Sequence, residues 1–577
     1  AEFYWGYKQA NRYKLYNRTA LEVENSKDIS TWSLQKLNQK TADLYQASLH
    51  PEDLLKTTNL NNFEAILQKG INSRQLRPTL YDLLAHRALD YFMDSENDVT
   101  NPSYKFIIND EKAFAPAAQF AKVRFASKDS TSLHLQALHI LQSLFKFHIA
   151  DNNTDALLDV NLKRLGFVNE HGIFNNKTAL YEETLKEIEK SYPTNPVTAQ
   201  ALYLRASMHM LKGNQYQPLT DTANQFEIKK ALELCEVAIA NYPNSEGAIN
   251  CSNLVTQIKT GSLELQTEKV NVPHTPFRIW VQYKNIETVY FRALKTTRQE
   301  LKKLRNYNDY QKQWAELATK KAEKEWNINL PQTFDYQKHS VEIKAEALPE
   351  GTYIILASAN PGFSLANNLM AKQIVYVSNI SYISTNKSQL YVLNRSTGLP
   401  LVNATVQEWQ LDYNYNSRSY DENKKEKYLT DKNGLVNLAY GNNEYKARLY
   451  QITHENDELF TDDYQYVYTN DVYPEKQSTN TFFFTDRSIY RPGQTVFFKG
   501  IVVNSNSKTG KSAIYPGYKT QIHLYDANNE KIAMLPVVSN EYGSFNGSFK
   551  LPEGLLTGNF YLFDSANNGQ VNFSVEE

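Results

Sequence analysis

Glycine is distributed unevenly along the sequence, and its distribution divides the chain at about residue 262. Seven of the 21 glycines lie in the first 262 residues, and the other 14 lie in the remaining 315. Glycine weakens helices and supplies the backbone freedom of tight turns. The chain has 577 residues, which exceeds the size of one hydrophobic core. We therefore predict a multidomain protein that is helical first and β afterwards.

The first half shows the apolar spacing of amphipathic helices. The stretches Leu80–Phe92 and Leu133–Phe145 place leucine, alanine and phenylalanine at intervals of three and four residues. The stretch Ala238–Ser245 resembles the end of a tetratricopeptide repeat, in which proline begins the following helical hairpin. Residues 1–265 are therefore predicted to form an α-helical, tetratricopeptide-like region.

The only two cysteines of the sequence lie in this region. Cys235 and Cys251 stand eight residues on either side of Pro243, in two predicted helices, 227–241 and 244–260. In an antiparallel helical hairpin the two side chains would lie roughly level with each other. Two interpretations follow: a pair of buried small apolar residues, or a disulfide that indicates an oxidising compartment.

From about Val270 the pattern becomes that of β-strands. We predict that Phe277–Tyr283 and Thr288–Leu294 pair with each other, and that further strands lie at residues 340–345, 352–357 and 373–377. The charged stretch Thr297–Glu325 is predicted to be a helical insertion with a solvated face. Residues 266–380 are therefore predicted to be a macroglobulin-like β-sandwich that contains a helical insertion.

A short string of residues occurs twice and indicates a tandem architecture. Leu348–Gly351 and Leu551–Gly554 both have the sequence Leu-Pro-Glu-Gly, and each precedes an apolar run that ends in Ser-Ala-Asn. Proline and glycine mark a turn before a strand in both copies, as expected for related β-sandwiches. The second copy belongs to the last predicted domain, residues 479–577.

A further module lies between the two copies, at residues 381–478. Its turns at Thr397–Leu401 and Thr430–Gly434 are followed by strand-like runs, so this region is predicted to be a third β-sandwich. Asp431 and Asn433 resemble part of a calcium loop, but the ligand series that should follow them is missing. We therefore interpret them as turn residues.

No catalytic, cofactor-binding or metal-binding motif is complete. Gly510-Lys511-Ser512 lacks the earlier glycine of a phosphate-binding loop, because Ser505 stands there, and His454 lacks the second histidine of a zinc protease helix. The formal net charge of −1 excludes a general basic field for nucleic acid, and no apolar run is long enough for a transmembrane segment. We predict a protein that is not an enzyme and uses no cofactor or metal.

The most specific signal is the run Thr485–Gly500, TDRSIYRPGQTVFFKG. It predicts two strands joined by a type II turn, with proline at the second turn position and glycine at the third. The run resembles the opening of the second macroglobulin domain of the alpha-2-macroglobulin family, and residues 540–560 continue the resemblance. The matching residues form a structural motif and are Asp486, Arg487, Tyr490, Arg491, Pro492 and Gly493.

The resemblance extends upstream. The turns of residues 381–478 resemble those of a macroglobulin or carboxypeptidase-regulatory β-sandwich. A helical region followed by such modules is similar to the N-terminal portion of the alpha-2-macroglobulin-like proteins of Bacteroidota. The resemblance implies about three tandem macroglobulin or immunoglobulin-like antiparallel β-sandwiches. The terminal run Phe573–Glu577 resembles a strand that continues into a next domain, so we expect the protein to extend further.

The implied function is a non-enzymatic, extracytoplasmic scaffold that binds protein partners, among them proteases that the full-length protein inhibits or traps. Family members form a thioester from a Cys-x-Glu-Gln motif after these domains, and this chain has no cysteine beyond Cys251. An alternative is a component of an outer-membrane or cell-envelope assembly that binds its partner through the helical region. A second alternative, suggested by 39 tyrosines and 27 phenylalanines, is a carbohydrate-binding protein.

The implied location is the periplasm or the outer membrane, with attachment as a lipoprotein as one form. Three triplets resemble the short O-glycosylation motif of Bacteroidota, and an exported protein could carry sugars there. Their acceptor residues would be Ser130, Thr222 and Ser565.

Overall fold

The computed structural model describes residues 1–576 except 17, 20–26, 71–72, 98–103, 306–309, 386–387, 416–417, 440–444, 462–464, 469–476, 508 and 554–555. The chain packs as two compact units. The first unites Ala1–Ala201 with Tyr473–Glu577, and the second comprises Leu202–Val472. The predicted domain boundaries at residues 265, 380 and 478 stay predictions.

Helices occupy the described part of the chain up to Lys259, and two more follow between strands. In chain order they are α1 (Glu2–Leu15), α2 (Leu34–Ser48), α3 (Glu52–Thr57), α4 (Ser73–Leu76), α5 (Leu80–Phe92), α6 (Ala117–Phe120), α7 (Leu133–Ala150), α8 (Thr154–His171), α9 (Lys177–Ser191), α10 (Thr198–Gly213), α11 (Glu227–Asn241), α12 (Glu246–Lys259), α13 (Arg298–Arg305) and α14 (Tyr310–Thr319). None of these described helices combines the length and the apolar character that crossing a bilayer requires.

The predicted amphipathic runs are confirmed as α5 and α7, which begin at capping side chains. Thr79 and Asp82 form a reciprocal capping box at the start of α5, and Ser132 accepts a hydrogen bond from the backbone of α7. Such caps satisfy amide groups that have no partner within the helix. The leucines of α7 face inward, and Leu138, Leu141 and Leu144 are fully buried.

The second unit begins its β-structure with eight strands. They are β1 (Ser262–Thr267), β2 (Val270–Asn271), β3 (Phe277–Lys284), β4 (Thr288–Thr296), β5 (Lys324–Asn329), β6 (His339–Ala345), β7 (Gly351–Ser358) and β8 (Met370–Val377). One sheet has the order β1-β3-β6, and the other has the order β2-β8-β7-β4-β5, with β2 parallel to β8. Side chains of both sheets, among them Ile279, Phe291 and Ile355, share one core.

The prediction that Phe277–Tyr283 pairs with Thr288–Leu294 is wrong. The two strands β3 and β4 form as predicted, but β3 pairs with β1 and β6, whereas β4 pairs with β5 and β7. The short link between them takes the chain from one sheet to the other, with Asn285 at a φ of 54° and Ile286 buried in the shared core. Both strands alternate buried and partly exposed residues, so periodicity alone could not assign them to one sheet.

The predicted helical insertion is present as α13 and α14. Its apolar side chains pack on the outer face of the sheet that contains β4 and β7, where Leu301, Trp314 and Leu317 are buried against Ile354 and Leu356. Some of its charged residues pair with each other on the other side, as Lys320 does with Glu300. Arg298 and Lys302 instead pair with the nearly buried carboxylate of Glu422. The insertion therefore covers a second apolar face of the sheet.

The region after β8 forms two further sheets of the second unit. Its strands are β9 (Ile380–Thr385), β10 (Gln389–Asn394), β11 (Thr405–Asn414), β12 (Ser419–Leu429), β13 (Leu435–Asn437), β14 (Tyr445–His454), β15 (Asp457–Phe460) and β16 (Gln465–Tyr468). One sheet has the order β13-β10-β9, and the other has the order β12-β11-β14-β15, with β16 also on β14. Asp431 caps its own turn, because its Oδ1 accepts hydrogen bonds from Asn433 and Leu435 at 2.8 Å.

The last domain repeats the topology of the first β-domain. Its strands are β17 (Gln477–Thr485), β18 (Ile489–Tyr490), β19 (Thr495–Asn506), β20 (Ser512–Ile514), β21 (Lys519–Tyr525), β22 (Lys531–Val538), β23 (Ser544–Lys550), β24 (Gly558–Asp564) and β25 (Gln570–Val575). One sheet has the order β17-β19-β20, with β23 on β19, and the other has the order β18-β25-β24-β21-β22, with β18 parallel to β25. Strand for strand, this is the arrangement of β1 to β8 with one addition, β20.

The repeated Leu-Pro-Glu-Gly string therefore marks equivalent positions in two related sandwiches. Leu348 and Leu551 are each 1% exposed and lie in the cores of their own domains. The next strand begins in both domains at a glycine with a φ near +145°. This glycine is Gly351, the last residue of the first string, and Gly558, four residues after the second string. Gly554, the last residue of the second string, lies outside the described residues. The predicted order of a helical region followed by antiparallel β-sandwiches is confirmed.

A buried ion pair joins helices α5 and α7 in the first unit. His148 Nε2 lies 2.9 Å from Asp82 Oδ1, and His148 Nδ1 lies 3.2 Å from Asp151 Oδ2. Two carboxylates beside one imidazole require both ring nitrogens to donate, so the charged form is favoured. Burial alone would lower the pKa of His148, but the hydrogen bonds and negative charges of Asp82 and Asp151 outweigh it and raise that pKa.

We expect the helices of the first unit to lose stability as the pH rises above about 6.5 and through the raised pKa of His148. The folded state holds the proton more tightly than the unfolded chain, so the stabilisation is present at lower pH and disappears once the imidazole is neutral. Thermal unfolding followed by circular dichroism at 222 nm measures the effect, with His148→Gln as the comparison that flattens it. The titration of His86 changes the stability only below this pH window, because the pKa of His86 is lowered, mainly by burial. A wild-type stability that rises over the same window would contradict the charged His148.

Candidate protein-interaction site

The Tyr490 corner, formed by Asp486, Arg487, Tyr490 and Phe497, fixes the start of the last domain. The Tyr490 hydroxyl donates to Asp486 Oδ1 at 2.6 Å and accepts a hydrogen bond from the Arg487 amide at 3.0 Å. The same carboxylate oxygen accepts the Phe497 amide at 3.0 Å. Tyr490 is 1% exposed, and its ring packs edge-on against Phe573. The corner thus joins β17, β18 and β19.

The predicted turn follows at once. Gly493 has a φ of +79°, which side chains other than glycine rarely adopt, and the Gln494 amide donates to the Arg491 carbonyl at 3.1 Å. The Gly493 amide donates across to the Leu551 carbonyl at 3.1 Å. Arg487 and Arg491 are exposed. Pro492 and Gly493 therefore shape the backbone, as predicted.

The charges of the corner do not favour proton transfer. The hydrogen bond from Tyr490 lowers the pKa of Asp486. Burial, followed by the hydrogen bond to Asp486, raises the pKa of Tyr490. The two shifts increase the difference between the two pKa values. Near neutral pH the phenol therefore stays protonated and the carboxylate stays ionised. The corner has the chemistry of a structural clamp.

An exposed aromatic face lies beside the corner, on the outer side of the sheet β17-β19-β23. We define the aromatic face as Phe482, Phe484, Phe497, Lys499 and Ile501. The three phenylalanines are 55–57% exposed. Phe482 stands opposite Ile501, and Phe484 stands opposite Lys499 with Phe497 diagonally beside it. Three exposed aromatic rings on one face of a sheet are typical of a surface that binds another protein.

Sequence reasoning did not identify the aromatic face, although the sequence contains a signal for it. The run Phe482-Phe483-Phe484 places three rings in succession in a strand, and successive side chains of a strand point to opposite faces. Phe483 packs inward against Phe498 and Phe545, so its two neighbours must point outward. The choice between the faces needed the location of the core.

Arg18 and Thr19 tie the N-terminal segment to the last domain within the first unit. Arg18 forms an antiparallel bridge with Gly558, and the Thr19 amide donates to the Thr557 carbonyl at 3.1 Å. The Arg18 guanidinium donates to Asn528 Oδ1 at 2.8 and 3.2 Å. No local pattern marks these residues, because their partners lie more than 500 residues away in the sequence.

The remaining predicted site residues are the two cysteines and the three glycosylation acceptors, and none of them belongs to the aromatic face. Cys235 and Cys251 are free thiols, both fully buried, one on α11 and the other on α12. Their disulfide stays a prediction. The acceptors Ser130, Thr222 and Ser565 are all exposed, each directly after an aspartate that caps a turn or loop. Their glycosylation stays a prediction as well.

We expect Tyr490→Phe to lower the free energy of unfolding of the first unit by about 1–2 kcal/mol, because the Arg487 amide and Asp486 lose a buried partner. Differential scanning calorimetry of the whole chain measures the change. The matched control is Tyr542→Phe, since Tyr542 is 68% exposed and its hydroxyl has no hydrogen-bond partner among the described residues. Equal melting temperatures for the two variants would show that the corner is not a clamp.

Comparison with known proteins identifies the last domain. Residues 480–575 match the model of the MG2 domain. An alpha-2-macroglobulin of Thermotoga maritima is 31% identical over 77 residues, which cover 13% of this chain and 5% of that protein. The match to the MG2 model begins in β17 and ends in β25, and so includes the complete Tyr490 corner.

Two solved structures of Escherichia coli alpha-2-macroglobulin are also similar to the chain. The native form shares 14% identity at a TM-score of 0.25, over 55% of this chain and 20% of that chain. A structure that spans domains MG0-NIE-MG1 shares 11% identity at a TM-score of 0.26, over 35% of this chain and 64% of that chain. The chain therefore spans a small part of the full-length relatives. The Bacteroidota-type assignment stays a prediction. Residues 480–575 match the MG2 domain family, and the predicted resemblance of this chain to the alpha-2-macroglobulin family is confirmed.

Proposed function

We propose that this chain is a non-enzymatic, extracytoplasmic scaffold that binds protein partners as part of an alpha-2-macroglobulin-like protein. The observation that carries the proposal is the MG2 match, whose sequence signature forms the Tyr490 corner, a clamp without catalytic geometry. The repeated sandwich topology supports it, because modules of one design can be joined in series. The aromatic face supplies an apolar surface for a partner.

The finer proposal is that the full-length protein traps proteases. Stiff sandwiches and a helical region suit a frame that holds a cleavable segment, while the trapping chemistry would come from residues after these domains. The chain itself has no cysteine after Cys251, so it contributes no thioester. We therefore expect this chain to form the frame, and the reactive residues to lie in another part of the full-length protein.

A protease panel tests this division. We expect the full-length protein, after cleavage by endoproteases of different specificity, to change its mobility on native gels. The protease should be retained in a form that cleaves small chromogenic substrates but not large proteins. The 577-residue chain alone, as matched control, should retain no protease. A full-length protein that neither changes conformation nor retains protease would end the trapping proposal and leave the scaffold.

The second candidate is a component of a cell-envelope assembly, in which the sandwiches are spacers and the helical region binds an outer-membrane partner. Helix pairs that stack side by side, as α11 and α12 do, expose faces suited to protein binding. Purification from native membranes separates the candidates. A membrane protein that binds residues 1–265, in a complex that stays stable when no protease is present, favours the assembly.

The extracytoplasmic location makes a separate prediction for the buried thiols. We expect the exported protein to contain a Cys235–Cys251 disulfide, which closes a loop of about 15 residues and should stabilise the chain by about 3 kcal/mol. Thiol titration after denaturation, with and without a reductant, measures it, and the control is Cys235→Ser. Two free thiols in the exported protein would contradict the disulfide and favour the interpretation as buried small apolar residues.

A further inference from the structure

An open cavity of about 290 Å³ lies in the second unit, between the end of α12 and the loop that joins β5 to β6. Its volume is close to the lower limit of roughly 300 Å³ for small-molecule sites. None of its residues belongs to the Tyr490 corner or to the aromatic face. The residues that shape the cavity are Tyr283, Glu287, Gln332, Phe334, Tyr336 and His339.

Three residues around the cavity have an unusual backbone. Asn285, Phe334 and Tyr336 have φ values of 54°, 54° and 59°. Asparagine adopts this left-handed region readily, but aromatic residues do so rarely. Each such residue costs on the order of 1–3 kcal/mol, and residues of this kind cluster at functional sites. Two aromatic examples in one short loop indicate that the loop is held in this shape by its surroundings.

Asp335, which lies between the two aromatic residues, holds the loop. Its side chain is fully buried and accepts hydrogen bonds from Thr333, the Gln337 amide, His339 and Gln225 at 2.9–3.0 Å. Burial alone would raise the pKa of Asp335, but these hydrogen bonds outweigh it and lower that pKa. A charged, fully hydrogen-bonded carboxylate thus fixes the loop from below.

This anchoring leaves the ring of Phe334 outside. Phe334 is 72% exposed at the rim of the cavity, although its two sequence neighbours are at most partly exposed. The exposed position cannot be explained by packing, since the ring buries little of its own surface. The loop thus leaves the ring of Phe334 exposed beside the cavity.

Polar groups around this ring lack partners. The side chains of Glu287, Gln332 and Tyr336 form no hydrogen bond with any described residue of the chain. Lys259, on the same rim, is paired with Glu236 at 3.0 Å. The cavity therefore offers a carboxylate, an amide and a phenol beside a ring. An apolar ligand would leave these groups without hydrogen bonds, and an anionic ligand would meet the carboxylate of Glu287.

We propose that this cavity binds a neutral oligosaccharide. A sugar ring has an apolar face of C–H groups that stacks on an aromatic ring, and an edge of hydroxyls that hydrogen-bonds to planar amide and carboxylate groups. Phe334 supplies the aromatic ring, and Glu287, Gln332 and Tyr336 supply the hydrogen bonds. The volume fits the terminal one or two sugar rings of a glycan. This site is independent of the proposed scaffold function.

The test begins with the whole 577-residue chain on an array of neutral oligosaccharides built from glucose, galactose, mannose and N-acetylglucosamine. Isothermal titration calorimetry then measures the affinity of the strongest binder. We expect Phe334→Asn to weaken binding about tenfold or more, because it removes the ring while asparagine tolerates the left-handed backbone. Glu287→Gln should weaken binding as well. The matched control, Tyr415→Asn, changes an 85% exposed aromatic residue of the same unit and should leave the affinity unchanged.

Melting curves establish that the variants fold, since Phe334 and Glu287 are exposed and their replacement should leave the melting temperature within error. The proposal is overturned if no neutral oligosaccharide binds. It is also overturned if the strongest binder keeps its affinity in both Phe334→Asn and Glu287→Gln, or if a peptide array gives the only ligands that depend on Phe334.

Discussion

The hydrogen bond between Tyr490 and Asp486 is the contact on which the last sandwich depends. It lies where three strands of the two sheets meet, and it uses one carboxylate oxygen to hold a phenol and the amide of β19 together. A partly buried hydrogen bond of this kind contributes little net energy, but leaving the buried phenol without its partner is costly. The corner therefore specifies how the two sheets are joined more than it adds stability. Asp335 plays a similar part, because its one buried carboxylate accepts several hydrogen bonds and so determines the shape of a whole loop.

The two related sandwiches show which parts of such a module can vary. Both keep a short parallel strand at the edge of one sheet, a glycine with a φ near +145° at the start of a central strand, and a buried leucine before it. The first sandwich accepts two helices between β4 and β5, where the second has only a short turn. Insertions are tolerated there because the connection runs over the surface and the core strands keep their pairing.

Much of this architecture could be predicted from local patterns. Helical periodicity located α5 and α7, and the Asp486–Gly493 run predicted the turn and the resemblance that the MG2 match bears out. Sequence failed where the outcome depended on distant partners. Strands β3 and β4 look like a hairpin, yet they belong to opposite sheets, because β3 lies between β1 and β6 and β4 lies between β5 and β7. Nor could the sequence reveal that Arg18 reaches Asn528, or that Phe334 is exposed, since both follow from contacts between residues remote from each other.

The link between Thr19 and Thr557 joins positions 538 residues apart. On the ribosome, the helices near the start of the chain emerge long before the strand that receives them. The first unit therefore stays incomplete until its last strands have been synthesised, whereas Leu202–Val472 can fold as a body of its own before then. Apolar helix surface that stays exposed during that interval favours aggregation of the nascent chain. Export in an unfolded state would avoid this interval, because the distant partners would all be present when folding begins.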